Sequence, residues 1–248
     1  MEAATHLVDH VLPMAPYRQF VVTFPIPMRY WLHSNKALFA KVYRIIIKEI
    51  HDYYKIKATA SGIKDPRPGA ISFTQLAGSA LNLNPHLHIL FCDGAFSAGG
   101  ESFRFRNLEA ITDKEVEKLL IDISRKVLKL LKKLAVNGFS LHANTATNTL
   151  ARDRLRKLVE YISRGPLSNE RLEITKSGQV KLKLKTAYRD GTSHLLFTPG
   201  EFIEKLSAII PPYQVLDCST LQCHGTTLPP RPGEQQTEDA HYSQSIRQ

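Results

Sequence analysis

The stretch NPHLHILFCDG at residues 84–94 is the most informative part of this sequence. Its run of apolar and aromatic residues, bounded by proline and glycine, predicts a buried strand. Because side chains alternate between the two faces of a strand, His86 and His88 share one face, about 6.6 Å apart along the backbone. Leu87 then points into the core. Two imidazoles at this separation can converge on one divalent cation, so the strand is a candidate metal platform.

The histidine pair alone leaves the metal site open, because two surface or hydrogen-bonded histidines give the same pattern. A binuclear hydrolase would carry His-x-His-x-Asp-His, but Leu90 and Phe91 occupy the last two positions. A cupin-like glutamate does not follow closely, and a helical His-Glu-x-x-His is absent from the sequence. Gln75, on the preceding predicted strand, is the candidate third ligand, and a glutamine at the edge of the core is the alternative.

Hydrophobic periodicity extends the prediction on both sides of this strand. The predicted strands are 17–24, 70–76, 86–92, 103–106, 171–175, 180–185 and 193–197. The predicted helices are 35–54, 112–135, 148–164 and 200–209. Thr112 and Glu115 have the spacing of a capping box at the start of the second helix. The pattern predicts one α+β domain over residues 14–210, with an antiparallel sheet and helices packed mainly on one face.

The two ends of the chain differ in composition from this domain. Residues 1–13 show no clear period and are expected to form an N-terminal arm. Residues 211–248 are expected to be a C-terminal extension. From about residue 226 the extension is polar and rich in proline, a composition typical of disorder.

Composition limits the possible partners. The 248 residues are 43% hydrophobic, enough for a substantial core without disulfides. The three cysteines cannot build a secreted disulfide scaffold or a four-cysteine zinc site, which favours a reducing cytoplasm.

The net charge of +10 favours a polyanionic partner, nucleic acid first and a membrane surface second. Because no apolar run reaches the roughly 18–20 residues of a membrane span and no signal peptide is visible, we expect no membrane partner.

A tyrosine lies among cations in the predicted helix LRKLVEYISRGP at residues 155–166. At about 100° per residue, Tyr161 falls on the flank of the apolar stripe, together with Arg154, Lys157 and Arg164. Three positive groups favour phosphate binding and the phenolate form of a phenol. A tyrosine nucleophile that attacks a phosphodiester needs such surroundings. A boundary tyrosine beside solvated cations is the alternative.

Taken together, the two segments resemble the HUH endonucleases, which cut single-stranded DNA in rolling-circle processes. The chain is similar in more detail to transposases of the insertion-sequence ninety-one and common-region family. Four segments in the family's order, within about residues 14–225, carry the resemblance: YRQFVVTFPIP, NPHLHILFCDGAF, LVEYISRGPLSNERLEI and YRDGTSHLLFTPGEFIEKLSAIIPP. The tyrosine and YRDGT segments are more specific than the histidine pair.

The resemblance implies a fold like that of the HUH endonucleases and a defined chemistry. His86 and His88 would bind Mg²⁺ or Mn²⁺, and Tyr161 would be the nucleophile that forms a 5′-phosphotyrosine. The partner would be single-stranded DNA at the ends of a mobile element, with no small-molecule cofactor. Action at the nucleoid in the bacterial cytoplasm is expected. From the helical wheel rather than the family, Arg154, Lys157 and Arg164 would hold adjacent phosphates.

The sequence also departs from the family. Many members carry a cysteine-rich, zinc-binding segment before the first strand, whereas residues 1–16 contain no cysteine. Lys157 stands where some members have an earlier tyrosine, which predicts a single-tyrosine enzyme. Gln222, Cys223, His224 and Gly225 stand where the family has Arg-Tyr-His-Gly. We therefore expect a catalytic domain trimmed at both ends.

Two other functions stay open from the sequence. A plasmid replication initiator or relaxase would use the same chemistry in another biological role, and the DNA ends that it nicks would identify it. A DNA-binding remnant would keep the fold without cutting, and retained binding with no covalent adduct would identify it.

Overall fold

The structure, a computed structural model, describes residues 2–99, 102–131 and 138–209, and these residues form six α-helices and nine strands. The helices are α1 (Glu2–His6), α2 (Ile26–Ser34), α3 (Lys36–Ala60), α4 (Asp113–Leu131), α5 (Arg152–Ser163) and α6 (Pro199–Ile209). The strands are β1 (Tyr17–Thr23), β2 (Ala70–Ala77), β3 (Leu83–Cys92), β4 (Gly94–Gly99), β5 (Ser102–Asn107), β6 (Ser140–Thr147), β7 (Leu172–Ile174), β8 (Val180–Lys183) and β9 (His194–Phe197). The predicted α+β fold with an antiparallel sheet is confirmed.

The main sheet has four antiparallel strands in the order β2-β3-β1-β6. Strand β3 is therefore central, and its register places His86 opposite Thr23 of β1 and Gln75 of β2. Strands β4 and β5 form a hairpin, and β7, β8 and β9 form a separate three-stranded sheet.

None of the helices in the described ranges combines the length and apolar character that a membrane crossing requires.

The largest core lies on one face of the main sheet. Strand residues Phe20, Leu87, Ile89 and Leu141 pack there against side chains of α2, α3 and α4. The start of α4 has the predicted capping box, in which the Glu115 carboxylate accepts from the Thr112 backbone N–H at 2.8 Å. The long helices therefore share one face, as the apolar periodicity predicts.

A second, smaller core covers the opposite face, on which the two histidines lie. Leu155, Val159 and Ile162 of α5 pack there with Leu90 of β3. The amide nitrogen of Gln75 donates to the Ile162 carbonyl at 2.9 Å and ties α5 to β2. Helix α5 is thereby held across the histidine face of the sheet.

A buried ion pair fixes β1 against the end of β3. The Arg18 guanidinium donates to Oδ2 of Asp93 from Nε at 3.0 Å and from Nη2 at 2.7 Å. Asp93 Oδ1 accepts from the Tyr54 hydroxyl at 2.9 Å, and Arg18 Nη1 donates to the Ala143 carbonyl at 2.9 Å. The charges are thus hydrogen-bonded on both sides, as burial requires, and the pair links β1 to α3 and β6.

Several elements differ from the sequence-based expectation, and β4 lies where the sequence predicts no strand. Helix α2 begins at Ile26, in a region where the sequence predicts no helix; proline is well accommodated in the first helical turn, where no N–H partner is needed. Strand β6 was not predicted, because SLHANTAT has little of the β-branched and aromatic content that identifies strands. Helix α5 begins at Arg152, after a turn in which the Ala151 N–H donates to the Asn148 carbonyl at 3.2 Å.

The segment expected to be an N-terminal arm is helical and packed. Helix α1 continues into a π-helical turn over Leu7–Val11. Ala4, Val8 and Leu12 are buried in the core beneath α5. Their spacing of four residues places them on one helical face, a signal too short to identify a helix from sequence. The C-terminal extension expected over residues 211–248 lies outside the described residues.

Candidate active site

The two histidines of β3 lie side by side on the face that α5 crosses. Their ring centroids are 5.0 Å apart, with 67° between the ring planes. His88 is buried, with 5% of its surface exposed, and His86 is partly buried. The central strand therefore brings both imidazoles together at a protected place.

A backbone hydrogen bond fixes the ring of His86. Its Nδ1 lies 2.6 Å from the carbonyl oxygen of Asn84. A carbonyl only accepts, so Nδ1 carries the proton, and the lone pair of the neutral ring is on Nε2. Metal-binding histidines in proteins are commonly oriented by such a bond. His86 is thus prepared to offer Nε2 to a cation.

The ring of His88 has a side-chain partner, Gln19 of β1. The Gln19 amide nitrogen lies 2.7 Å from His88 Nδ1. In this orientation the amide donates to Nδ1, which leaves the ring proton on Nε2. A half-turn of the amide places its oxygen there instead, so that Nδ1–H donates and the Nε2 lone pair becomes available. Gln19 can therefore set which nitrogen of His88 is able to bind a cation.

Both imidazoles are held in the neutral form. Burial lowers the pKa of His88 to about 4, and the neighbouring His86 and Lys185 contribute in the same direction. Burial also lowers the pKa of His86; the bond to Asn84 opposes this change, whereas Lys185 and Arg29 add to it. Neutral imidazole is the form that binds metals, so the pair suits a divalent cation at neutral pH.

Tyr161 of α5 reaches the histidine pair from above the sheet. Its ring lies edge-on to that of His88, with centroids 6.2 Å apart and 88° between the planes. Half of its surface is exposed. Helix α5 buries Leu155, Val159 and Ile162 and leaves the tyrosine outside that apolar stripe. The structure thus places an accessible phenol next to the His88 imidazole.

A lysine from the small sheet completes this group. Lys185, two residues beyond β8, holds its Nζ 5.4 Å from the centroid of the Tyr161 ring. Burial lowers the pKa of Lys185, and Arg171 and Arg164 act in the same direction. Lys185 is therefore beside the tyrosine, and Arg171 and Arg164 are close enough to Lys185 to add positive charge, an arrangement that favours an anionic ligand.

The cations of α5 separate into two sets. Arg154, Lys157 and Arg164 are exposed, and neither Arg154 nor Lys157 forms an ion pair within the described part of the chain. Arg152 and Arg156 instead hold the N-terminal segment: Arg152 donates to backbone carbonyls there, and Arg156 Nη2 lies 3.1 Å from Asp9 Oδ1. The three residues expected to bind DNA are thus available, and Arg164 lies near Lys185.

The third ligand stays a prediction. Gln75 lies opposite His86 in the strand register, and its amide nitrogen is engaged by the Ile162 carbonyl. Among the residues that the structure describes, no group of three or more His, Cys, Asp or Glu could hold a metal ion. The candidate donors among the described residues are therefore the two imidazoles, and a cation held by them would take its other ligands from water or phosphate oxygens.

Sequence reasoning missed Gln19 and Lys185. A polar residue in the middle of the apolar strand YRQFVVTF was the available signal for Gln19, but its contact with His88 depends on the pairing of β1 with β3. The alternation in VKLKLK placed Lys185 on a polar face. Its approach to Tyr161 depends on how the small sheet packs, which local sequence does not show.

The comparisons with known proteins identify a family for most of this region. Residues 69–218 match the model of the family described as "Putative transposase", a stretch that spans more than half of the chain and includes His86, His88 and Tyr161. The comparisons with curated proteins and with solved structures returned no match.

Proposed function

Because this chain belongs to that transposase family, we propose that it cuts and rejoins single-stranded DNA through a 5′-phosphotyrosine at Tyr161 during rolling-circle transposition. His86 and His88 hold Mg²⁺ or Mn²⁺ in this proposal. The observation that carries it is the approach of the Tyr161 ring to His88, with centroids 6.2 Å apart. A nucleophile and a cation site that serve one phosphodiester must lie this close to each other.

The chemistry follows from the groups at the site. The Tyr161 oxygen attacks the scissile phosphorus; an oxygen–phosphorus bond forms, and the bond to the 3′ oxygen breaks. The phenol proton passes to water, and the 3′ oxygen takes up a proton and leaves as a hydroxyl. When bound, the divalent cation supplies positive charge that stabilises the phosphate as its charge changes. Rejoining is the reverse reaction with another 3′ hydroxyl and needs no ATP.

The cations around Tyr161 have two tasks in this proposal. Lys185, whose Nζ lies 5.4 Å from the centroid of the Tyr161 ring, attracts the scissile phosphate to the nucleophile. Arg154, Lys157 and Arg164, exposed on the same flank of α5, hold neighbouring phosphates of the strand. Arginine and lysine side chains at such positions give affinity that falls with salt but does not select sequence.

A covalent-adduct assay tests the proposal. Labelled single strands from the flanks of the gene are incubated with the protein and Mn²⁺ and run on a denaturing gel. A retarded band is expected for the wild type and for Tyr188→Phe, which changes another exposed tyrosine. Tyr161→Phe and the double variant His86→Ala/His88→Ala should give no band. A band that survives Tyr161→Phe contradicts the nucleophile, and binding without any adduct indicates a remnant that no longer cuts.

A further inference from the structure

Helix α2 carries an exposed apolar and aromatic face outside the candidate active site. Ile26, Tyr30 and Trp31 are 75%, 68% and 47% exposed, and we call these three residues the α2 face. Met28 and Leu32, on the other side of the helix, are buried in the large core. The helix is therefore firmly seated, and its aromatic side is directed outward. Exposed apolar patches on a soluble surface commonly mark a binding site.

The chain places the α2 face at the histidine end of the main sheet. Strand β1 ends at Thr23, which pairs with His86, and α2 begins three residues later. Arg29 donates from Nε to the Phe24 carbonyl at 3.0 Å, which holds the guanidinium at the start of the helix. Its charge contributes to the lowered pKa of His86. Helix α2 therefore starts at the end of the sheet that carries His86, in the layer packed on the opposite face, and the charge of Arg29 reaches His86.

We propose that the α2 face is a base-stacking surface for single-stranded DNA, on which unpaired bases next to the scissile phosphate stack against Tyr30 and Trp31. This inference rests on the proposed function, because the strand must pass the histidine pair to reach α2. Aromatic rings flanked by cations are the usual means of binding a single strand without sequence preference. Bases in a duplex are already stacked, so the same surface favours a single strand over a duplex.

Charge favours DNA over a protein partner on this face. The chain carries a net charge of +10. The positive charges of Arg29 and Lys185 lower the pKa of His86, and those of Arg164 and Arg171 lower the pKa of Lys185. A second copy of the chain would bring its own positive charge to the same place. A polyanion with flat apolar groups fits both the cations and the rings.

The fluorescence of Trp31 provides a direct test, because the chain contains one tryptophan. An oligothymidylate of about 16 nucleotides is compared with an abasic strand that has the same number of phosphates. Binding of each strand is measured separately by the anisotropy of a label on the DNA. The oligothymidylate should quench Trp31, whereas the abasic strand should bind more weakly and leave the emission unchanged.

A matched pair of variants separates stacking from general attraction. Tyr30→Ala keeps the tryptophan and removes one ring; it should weaken oligothymidylate binding about 10-fold and leave abasic binding unchanged. Ile121→Ala removes a half-exposed apolar side chain from α4 and should change neither affinity. Circular dichroism of both variants checks that they fold.

Three results would overturn the stacking proposal. First, the abasic strand could quench Trp31 as strongly as the oligothymidylate. Second, the oligothymidylate could bind without changing the emission of Trp31. Third, the emission of Trp31 could depend on protein concentration when no DNA is present. The last result would identify α2 as an interface between copies of the chain. Adduct formation by the same protein with the single strands from the flanks of the gene tests the proposed chemistry separately. An adduct with those strands but no quenching by oligothymidylate rejects the stacking surface alone, and quenching without an adduct rejects the chemistry alone.

Discussion

The Tyr161 ring stands perpendicular to the His88 ring, with 6.2 Å between their centroids. The two residues come from elements far apart in sequence, the central strand β3 and the helix α5. Gln75 fixes their relation, because its amide nitrogen donates to the carbonyl of Ile162, the residue that follows the tyrosine. A neighbouring strand therefore holds the end of α5 that carries the phenol, and the geometry does not depend on the tyrosine side chain itself.

Lys185→Ala should weaken single-strand binding about 10-fold, because a hydrogen bond from a charged group to a phosphate is worth roughly 1.5–3 kcal/mol. The dependence of log affinity on log salt concentration should become shallower by about 0.7, the value for one phosphate contact on a single strand. Lys185→Arg should retain most of the affinity. Titrations of labelled DNA at several salt concentrations measure both quantities.

The control for this prediction is Lys129→Ala. Lys129 is an exposed lysine of α4, on the opposite side of the main sheet. This change removes the same charge from the chain at a distance from Tyr161. Equal losses of affinity in the two variants would mean that net charge, rather than the position of Lys185, governs binding.

Local sequence was sufficient for the elements whose signals lie within one turn or one strand. The spacing of Thr112 and Glu115 predicted a capping box, and both directions of the exchange are present in the structure. The alternation around Leu87 placed His86 and His88 on one face. These features need no knowledge of a distant partner, because each depends on the period of its own element.

The parts that could not be predicted depend on how distant elements pair. Strand β6 is stabilised mainly by its ladder with β1, so weak propensity in its own sequence concealed it. The contact of Gln19 with His88 follows from the β1–β3 register, and the approach of Lys185 to Tyr161 follows from the packing of the small sheet. A family resemblance can transfer the histidines and the tyrosine, but not these supporting residues.

Gln19→Leu should lower the affinity of the protein for Mn²⁺ by about 10- to 100-fold, the usual effect of removing a partner of a metal-binding histidine. Leucine cannot accept a hydrogen bond from Nδ1–H of His88. The ring therefore loses the bond that would keep the proton on Nδ1 and leave the lone pair of Nε2 free for the cation. Gln19→Glu can only accept and should retain the affinity. Calorimetric titration with Mn²⁺ measures the three proteins.

His142→Ala is the matched control for this titration. His142 is exposed on β6 and pairs with Val21, so it shares the histidine face but lies two strands from His88. Its removal should leave Mn²⁺ affinity unchanged. If Gln19→Leu binds Mn²⁺ as tightly as the wild type, Gln19 does not orient His88, and the buried amide serves packing only.

The stability of the metal-free protein should fall as the pH is lowered from about 6.5 to about 4. An unfolded histidine has a pKa near 6.5, whereas burial lowers the pKa of His88 to about 4 in the folded chain. Within this window the unfolded chain binds a proton that the folded chain does not, so acid favours unfolding. Above pH 6.5 both states are neutral and His88 adds no pH dependence. The full effect, reached near pH 4, corresponds to about 3 kcal/mol.

Urea unfolding in the presence of EDTA between pH 6.5 and pH 4 measures this loss of stability. His88→Gln should make the profile shallower without removing it, because burial also lowers the pKa of His86. His142→Ala should leave the profile unchanged. A profile that is equally steep in His88→Gln would show that other groups cause the acid sensitivity.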